Sequence, residues 1–145
     1  KDFMPPIPGT VAPPEGPEDP LTKRFPLQLS GWHSKCRTHT VHDNNLGLRR
    51  LDPQKLWIHP EDAAARSIHD GDMVLVYNDR GQVKIPAKIT TGTKGVATLS
   101  QGTWYTPDEN GVDTRGSINV LTSQRPTPFA RGNGQHTNLV EVKKL

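Results

Sequence analysis

The chain has 145 residues and a mass of 16.0 kDa, which suffices for one folded domain with a single core. Its 13 glycines, 14 prolines and 32% apolar residues favour short elements joined by turns and disfavour a helical bundle. A net charge of +3 is too small to indicate a nucleic-acid partner. A single cysteine excludes an internal disulfide framework, and without an apolar run of about 18 residues there is no membrane-spanning helix to predict.

The first stretch of the chain is rich in proline. Eight of the fourteen prolines fall within the first 26 residues, where they prevent regular hydrogen-bond ladders and favour an extended backbone. The chain starts with Lys1 and an acidic residue, which resembles neither a signal peptide nor an initiator methionine, so we expect a cut or processed amino terminus. We predict that residues 1–25 form an arm or linker from a preceding domain and that residues 26–145 form the folded domain.

The folded domain should open with a strand and then contain one clear helix. Leu27 and Leu29 alternate with polar neighbours, as in a half-buried strand. The helix is predicted over 60–69, because Pro60 suits a first helical position and Gly71 would supply the left-handed stop.

A hairpin follows the helix. The apolar run 73–77 and the alternating run 83–89 flank a turn at 78–81, and Pro86 indicates a bulge or an unpaired position in the second run. Further short strands are predicted at residues 96–100, 118–122 and 139–142. Six short strands and one helix predict a mainly β fold, a small barrel with helical decoration.

The densest polar cluster, residues 31–43, directly follows the first strand and allows three interpretations. A zinc site could use the four ligand types His33, Cys36, His39 and His42, although two cations in the loop would repel the ion. A hydrolase could use Cys36 as a thiol nucleophile with a histidine base. In the third interpretation, Lys35 and Arg37 meet a phosphate while hydroxyls and main-chain N–H groups meet a polar ring. The third accounts for the most residues.

A second polar cluster lies near the carboxyl end, between Asn119 and Asn138. Amide side chains pair with the donor and acceptor edges of a purine or pterin, and the glycines between them allow a close approach of the backbone. A solvated polar loop explains the same composition. Trp104 and Tyr105 could stack on a flat ring or could simply pack at the barrel rim. Walker-type and GxGxxG phosphate loops are absent from the sequence.

Three stretches resemble a known family. The first is Phe25 to His33 running into Arg37-Thr38-His39-Thr40. The second is His59 to Ala64 through Asp70 to Val74 to Asn78 to Gly81, and the third is Ile118 to Pro126 ending in Gly132-Asn133 and His136 to Val140. The chain resembles the carboxy-terminal molybdopterin-dinucleotide-binding domain of the dimethyl sulfoxide reductase family, in particular its anaerobic, membrane-anchored group. The likeness covers almost the whole chain. Cys36 departs from the family pattern, which has a basic or polar residue there.

The resemblance implies a six-stranded double-psi β-barrel whose loops cover one face of a bis(molybdopterin guanine dinucleotide) cofactor. It implies that molybdenum is ligated by an earlier domain, so neither a catalytic residue nor a metal ligand is expected here. The implied cofactor-binding residues are Trp32, His33, Ser34, Lys35, Arg37, Thr38, His39, Thr40, Asn119 and Asn138.

The expected function is that of one domain in a molybdenum oxidoreductase that reduces an S-oxide or N-oxide by oxygen-atom transfer. The fragment alone is not expected to be active. The resemblance implies as partners the other domains of the catalytic subunit, an iron–sulfur electron-transfer subunit and a membrane anchor subunit, with no nucleic acid. It also implies a bacterial, membrane-associated and often periplasm-facing enzyme. The alternative is a free-standing barrel that binds protein or nucleic-acid partners.

Overall fold

A closed six-stranded β-barrel forms the centre of the computed structural model, which describes residues 7–10, 12–92, 94–127 and 130–145. Around the barrel the strand order is β1, β5, β2, β4, β3, β6. The pairs β1/β5 and β2/β4 are parallel and the other four are antiparallel. The strands are β1 Leu27–Trp32, β2 Leu56–Ile58, β3 Met73–Tyr77, β4 Gln82–Ile89, β5 Val96–Ser100 and β6 Asn138–Lys144.

Among the described residues, two short α-helices and two 3-10 helices accompany the barrel strands. The α-helices are α1, Leu46–Leu51, and α2, Pro60–Ala64. The 3-10 helices are Pro20–Lys23 and Ile118–Val120. None of the helices in the described ranges has the length and apolar character needed to cross a membrane.

The predicted mainly β barrel of six strands is confirmed, but one strand prediction is wrong and one strand was missed. Residues 118–122 contain the second 3-10 helix, because Ile118 and Leu121, three positions apart, both point into the core. The sixth strand is instead β2, whose three residues are too few for alternation to stand out.

The helix prediction is right at its start and wrong at its end. Pro60 occupies the first turn of α2, and the Glu61 N–H donates to the side chain of His59 at 3.2 Å. The helix ends at Ala64, well before Gly71. Ser67 adopts a left-handed φ of 54°, and the Ile68 N–H turns back to the Ala63 carbonyl at 2.9 Å.

Pro86 lies where β4 changes partners. It stands opposite Met73 at the end of the β3 pairing, and the next residue, Ala87, stands opposite Leu56 in the β2 pairing. The missing N–H of proline therefore falls at the point between two ladders.

Residues 13–25, here called the N-terminal segment, pack on the barrel. The N–H groups of Arg24 and Phe25 both donate to the Leu21 carbonyl at 2.9 Å. Phe25 is buried and meets the Tyr77 ring edge-on, with 6.2 Å between the centroids. Residues 13–25 therefore differ from the expected extended arm, whereas residues 1–6 and 11 lie outside the described residues. The assignment of residues 1–25 to a linker from a preceding domain stays a prediction. Six prolines precede residue 19, but apolar and carboxylate contacts still dock this part of the chain.

The core fills the barrel interior with alternate residues of each strand. All of its strand members are at most 2% exposed, which is the period-2 burial expected of a closed sheet. The strand residues in the core are Leu27, Leu29, Leu56, Ile58, Val74, Val76, Val83, Ile85, Ala87, Ala97, Leu99, Val140 and Val142.

Leu56→Ala should test whether the short strand β2 belongs to this core. Leu56 is fully buried, so the variant should lower the free energy of unfolding by about 2 to 5 kcal/mol. Leu51→Ala is the matched control, because Leu51 is 77% exposed on α1, and its cost should stay within about 0.5 kcal/mol. Urea unfolding measures both values. Equal effects would contradict the burial of Leu56.

Candidate functional site

A wide groove lies at one end of the barrel, between its loops. It has a volume of about 960 Å³ and adjoins a hollow of about 140 Å³, with which it shares Thr40, Asn119 and Thr122. We call the two together the loop groove. The hollow adds His39, Gln101, Gly102, Ile118 and Gln135 to the lining. The main groove adds Arg80, Gly81, Thr103, Trp104, Tyr105, Gly111, Ser117, Val120 and Gln124.

The lining of the loop groove combines flat aromatic rings with amide and hydroxyl groups. Trp104 is 46% exposed and Tyr105 57% exposed. Asn119 is exposed as well, and its main-chain carbonyl accepts from the Thr122 hydroxyl at 3.1 Å. An aromatic face together with paired amide donors and acceptors suits a polar heterocycle better than a purely apolar ligand.

A buried carboxylate ties the loop that contains Thr40 to the aromatic side of the groove. Asp43 is fully buried and accepts from the Trp104 N–H at 2.9 Å and from the Arg115 guanidinium at 2.5 Å. The indole N–H of Trp104 donates to the Thr40 carbonyl at 3.0 Å. These bonds fix Trp104 and Thr40 relative to each other.

A second buried carboxylate shapes the segment that leads to Asn119. Asp113 is fully buried and accepts from the N–H groups of Thr106 at 2.7 Å, Gly116 at 2.8 Å and Ser117 at 2.6 Å. Three main-chain donors on one carboxylate hold residues 106–117 in a closed loop. This loop leads directly to Asn119, which lines the groove.

The loop of residues 33–43 rests directly on Gly102. Gly102 has a φ of 89°, and a Cβ atom there would overlap the His39 carbonyl oxygen. His39 itself has a φ of 51°. Glycine is therefore required at 102 for two reasons, the left-handed backbone and the close approach of the loop.

Arg37 is buried away from the loop groove and its partners lie within the chain. Its guanidinium donates to Gln54 at 3.1 Å and to the Ser100 hydroxyl, and it lies 3.6 Å from Asp43. Ser34 is also buried and donates to Asp52 at 2.5 Å. Both residues were predicted to bind the cofactor. The structure shows their internal partners, and the predicted contact with the cofactor stays a prediction.

Arg37 also borders a separate cavity of about 360 Å³ behind the loop. Two buried polar atoms at this cavity, Nε of Arg37 and one carboxylate oxygen of Asp43, have no hydrogen-bond partner among the described residues. Both atoms belong to the same ion pair. The cavity is rimmed by three further arginines, Arg49, Arg50 and Arg115.

The other predicted site residues are divided among several environments. Thr40 and Asn119 line the loop groove, and His39 lines its smaller hollow. His33, Lys35 and Thr38 are exposed.

Trp32 packs against Trp57 with 4.8 Å between the ring centroids. Asn138 is fully buried. Its side chain accepts from the Ser123 N–H at 2.6 Å and donates to the carbonyls of Gly134 and Gln135, so it orders the polar loop before β6.

Several groove residues were not among the predicted binding residues. Arg80 and Gly81 belong to the β3–β4 turn, which the sequence marked only as a turn. Trp104 and Tyr105 were noted as possible stacking residues without a decision between stacking and packing. Only the folded structure shows that both rings are exposed beside Asn119.

The histidines of the 31–43 cluster do not assemble into a metal centre in this structure. The rings of His33 and His39 meet edge-on with 5.7 Å between their centroids. Over the ranges that the structure describes, no three His, Cys, Asp or Glu residues are grouped closely enough to hold a metal ion.

Sequence comparison decides the family. The molydopterin dinucleotide binding domain family matches residues 27–139, which include all the lining residues of the loop groove. The chain belongs to this family. This match and the barrel confirm the resemblance drawn from the sequence.

Curated relatives carry the same domain within much longer chains. The chain is 52% identical over 128 residues to dimethyl sulfoxide reductase DmsA of Haemophilus influenzae, covering 88% of this chain and 16% of that protein. It is 48% identical over 145 residues to DmsA of Escherichia coli, covering 99% and 18% respectively. The chain therefore spans less than a fifth of the length of these relatives.

A solved structure shares the fold at low sequence identity. Acetylene hydratase from Pelobacter acetylenicus matches 97% of this chain and 21% of its own, with a TM-score of 0.80 and 17% identity. At this identity the match concerns the barrel architecture only.

Gly102→Ala should destabilise the chain more than a glycine replacement at an equally left-handed but open position. Gly95, with φ 77° and no atom within 4 Å of a built Cβ, is the matched control, and Gly95→Ala should cost about 1 to 2 kcal/mol. Gly102→Ala adds the overlap with His39, which should cost a further 1 to 3 kcal/mol, approximately. Urea unfolding of both variants measures the difference. Equal costs would mean that the loop is not seated on Gly102.

Arg37→Ala and Lys35→Ala should differ sharply in stability although both remove one cation of the same loop. Loss of Arg37 leaves Asp43 buried with one charged partner fewer, so the free energy of unfolding should fall by about 3 kcal/mol or more. Lys35 is exposed, and its removal should change stability by about 0.5 kcal/mol at most. Thermal denaturation distinguishes the two. A neutral Arg37→Ala would argue against the buried network.

Proposed function

We propose that this chain is the cofactor-binding domain of a molybdenum oxidoreductase that reduces an S-oxide or N-oxide by oxygen-atom transfer. The observation that carries the proposal is the loop groove. It lies within the family match, and its lining of Thr40, Trp104 and Asn119 suits a pterin or guanine ring. The names of the relatives, dimethyl sulfoxide reductases, support the class of reaction.

The chemistry of the groove fits a bis(molybdopterin guanine dinucleotide). Heterocycle edges need amide, hydroxyl and main-chain partners, and Asn119, Gln124 and Thr40 offer these groups. The phosphates need cations, and Lys35 stands exposed on the adjoining loop. When bound, the cofactor supplies the redox chemistry through a metal held by a part of the protein outside this chain.

This chain's own contribution is to bind and orient the cofactor. The bonds around Asp43 and Asp113 keep the groove in one shape before a ligand arrives, so little ordering remains to be done on binding. Asn138 would act indirectly, through its hydrogen bonds to Ser123, Gly134 and Gln135 beside the groove. Arg37 and Ser34 would likewise act as supports without touching the ligand.

The proposed partners follow from the same assignment. They are the remaining domains of a catalytic subunit, an iron–sulfur electron-transfer subunit and a membrane anchor subunit. The resemblance to the anaerobic, membrane-anchored group supports them, and a periplasm-facing location in a bacterium goes with them. The relatives at about 50% identity are bacterial. The alternative of a free-standing binding barrel has less support, since these relatives hold the domain inside long chains.

The test is cofactor retention in the full-length protein. Asn119→Ala and Lys35→Ala should each lower molybdenum and released guanine nucleotide per protein by about tenfold, since a charge-assisted or buried polar contact contributes about 1.5 kcal/mol or more. Activity per bound molybdenum should not change. Lys23→Ala, an exposed lysine on the N-terminal segment, is the control and should retain full occupancy.

Two results would contradict the assignment. Full occupancy with activity near zero would place Lys35 or Asn119 in the chemistry instead of in binding. Unchanged occupancy and unchanged activity in both variants would mean that the loop groove does not hold the cofactor.

A further inference from the structure

Glu15 has a backbone conformation that needs an explanation. It adopts a left-handed φ of 54° in a tight turn that the Gly16 N–H closes onto the Pro13 carbonyl at 3.1 Å. This conformation is unfavourable for a residue with a side chain and persists only where surrounding contacts impose it. The side chain is only 12% exposed, although glutamate is rarely buried without a partner.

The carboxylate of Glu15 joins three distant parts of the chain. The Arg80 guanidinium donates to it with two bonds, at 2.7 and 2.9 Å, and the Leu139 N–H donates to it at 2.9 Å. In addition, the main-chain carbonyl of Glu15 accepts from the Gln28 side chain at 2.6 Å. The N-terminal segment is thus bonded to the β3–β4 turn, to β6 and to β1.

Arg80 connects Glu15 to residues 119–122, which form one wall of the loop groove. While two of its nitrogens hold Glu15, its Nε and one terminal nitrogen donate to the Leu121 carbonyl at 2.9 and 2.8 Å. Next to Arg80, Gly81 lies so close to Val120 that a Cβ on the glycine would stand 2.5 Å from a Val120 methyl. Asn119, Val120 and Thr122 of this wall all line the groove.

We propose that Glu15 is a positioning residue for the loop groove. Its carboxylate holds the Arg80 guanidinium, and Arg80 in turn fixes residues 119–122, which form one wall of the groove. The inference rests on the proposed function for its consequence, cofactor retention, but its structural part stands without it. The forked, two-bond geometry matters, because a carboxylate aligns both terminal nitrogens of a guanidinium and an amide aligns only one. The N-terminal segment then helps to hold the loop groove in shape.

The experiment compares Glu15→Gln with wild type in the full-length protein by two measurements. Hydrogen exchange should become about tenfold faster in peptides covering residues 78–82 and 118–124, as expected for loss of a charge-assisted pair. Exchange in β5, Val96–Ser100, which pairs with β1 and β2 and not with β3 or β4, should stay the same. Guanine nucleotide released per protein should fall by about the same factor.

The chain supplies a matched control for this variant. Arg24 and Asp79 form an ion pair at 2.6 Å between the same two segments, but both side chains are more than half exposed. An exposed ion pair contributes little to stability, so Asp79→Asn should leave hydrogen exchange and nucleotide content within about twofold of wild type. Equal effects of Asp79→Asn and Glu15→Gln would overturn a special role for Glu15.

The outcomes separate the inference from the function. If hydrogen exchange in residues 118–124 is unchanged in Glu15→Gln, the inference is overturned, whatever the nucleotide content of the variant. Faster exchange there with full nucleotide content supports the positioning of the wall and contradicts the groove as cofactor site. Faster exchange in every strand, β5 included, means general stabilisation and overturns the inference. If Glu15→Gln does not accumulate, Glu15→Asp, which keeps the charge but shortens the reach, is judged by the same pattern.

Discussion

Buried carboxylates that accept hydrogen bonds from loop residues are the interaction on which the loop end of this barrel depends. A barrel of six short strands orders its own strands by ladder bonds, but it leaves the long connections without partners. Asp43 and Asp113, both fully buried, bind the connections at 33–43 and 103–117, and Glu15 joins the segment before β1 to the turn after β3. Each carboxylate meets main-chain N–H groups, a guanidinium or both, and these bonds offset much of the cost of its burial, although one oxygen of Asp43 has no hydrogen-bond partner among the described residues.

This arrangement separates the exposed residues of the loop groove from the residues that hold them in place. The exposed groups of the loop groove are neutral or aromatic, such as Asn119 and Trp104, whereas most of the charges near it are turned inward in pairs. Arg37 shows the principle most clearly. It stands in the middle of a polar loop, yet its guanidinium is surrounded by Gln54, Ser100 and Asp43. A charged residue in a binding loop can therefore be a support of that loop.

The sequence predicted what local rules control. The barrel class, the start of α2 at Pro60 and the hairpin around 78–81 follow from alternation, helix capping and turn residues. The failures have a common cause, which is tertiary contact. Residues 118–122 were predicted as a strand, but Ile118 and Leu121 are buried together on a 3-10 turn. Ser67 ends α2 early because the chain must return Ile68 to the core.

The candidate site was predictable only in part, for the same reason. The two polar clusters at residues 31–43 and 119–138 do meet the groove, through Thr40, His39 and Asn119. No local pattern pairs Arg37 with residues 6, 17 and 63 positions away, or Glu15 with Arg80 across 65. Such pairings are decided by topology, so residue type alone could not tell a ligand contact from an internal one.

The closure of the barrel has a consequence for how the protein is made. β6 pairs with β1 and with β3, so the barrel's last strand to be synthesised completes the seam with the barrel's first strand. Leu139 at the start of β6 also binds Glu15, a separation of 124 residues along the chain. Contacts of such long range slow folding, because a large loop must close before any of them forms. Until β6 arrives, β1 and β3 expose unpaired edges, and the nascent barrel is open to mispairing with other chains.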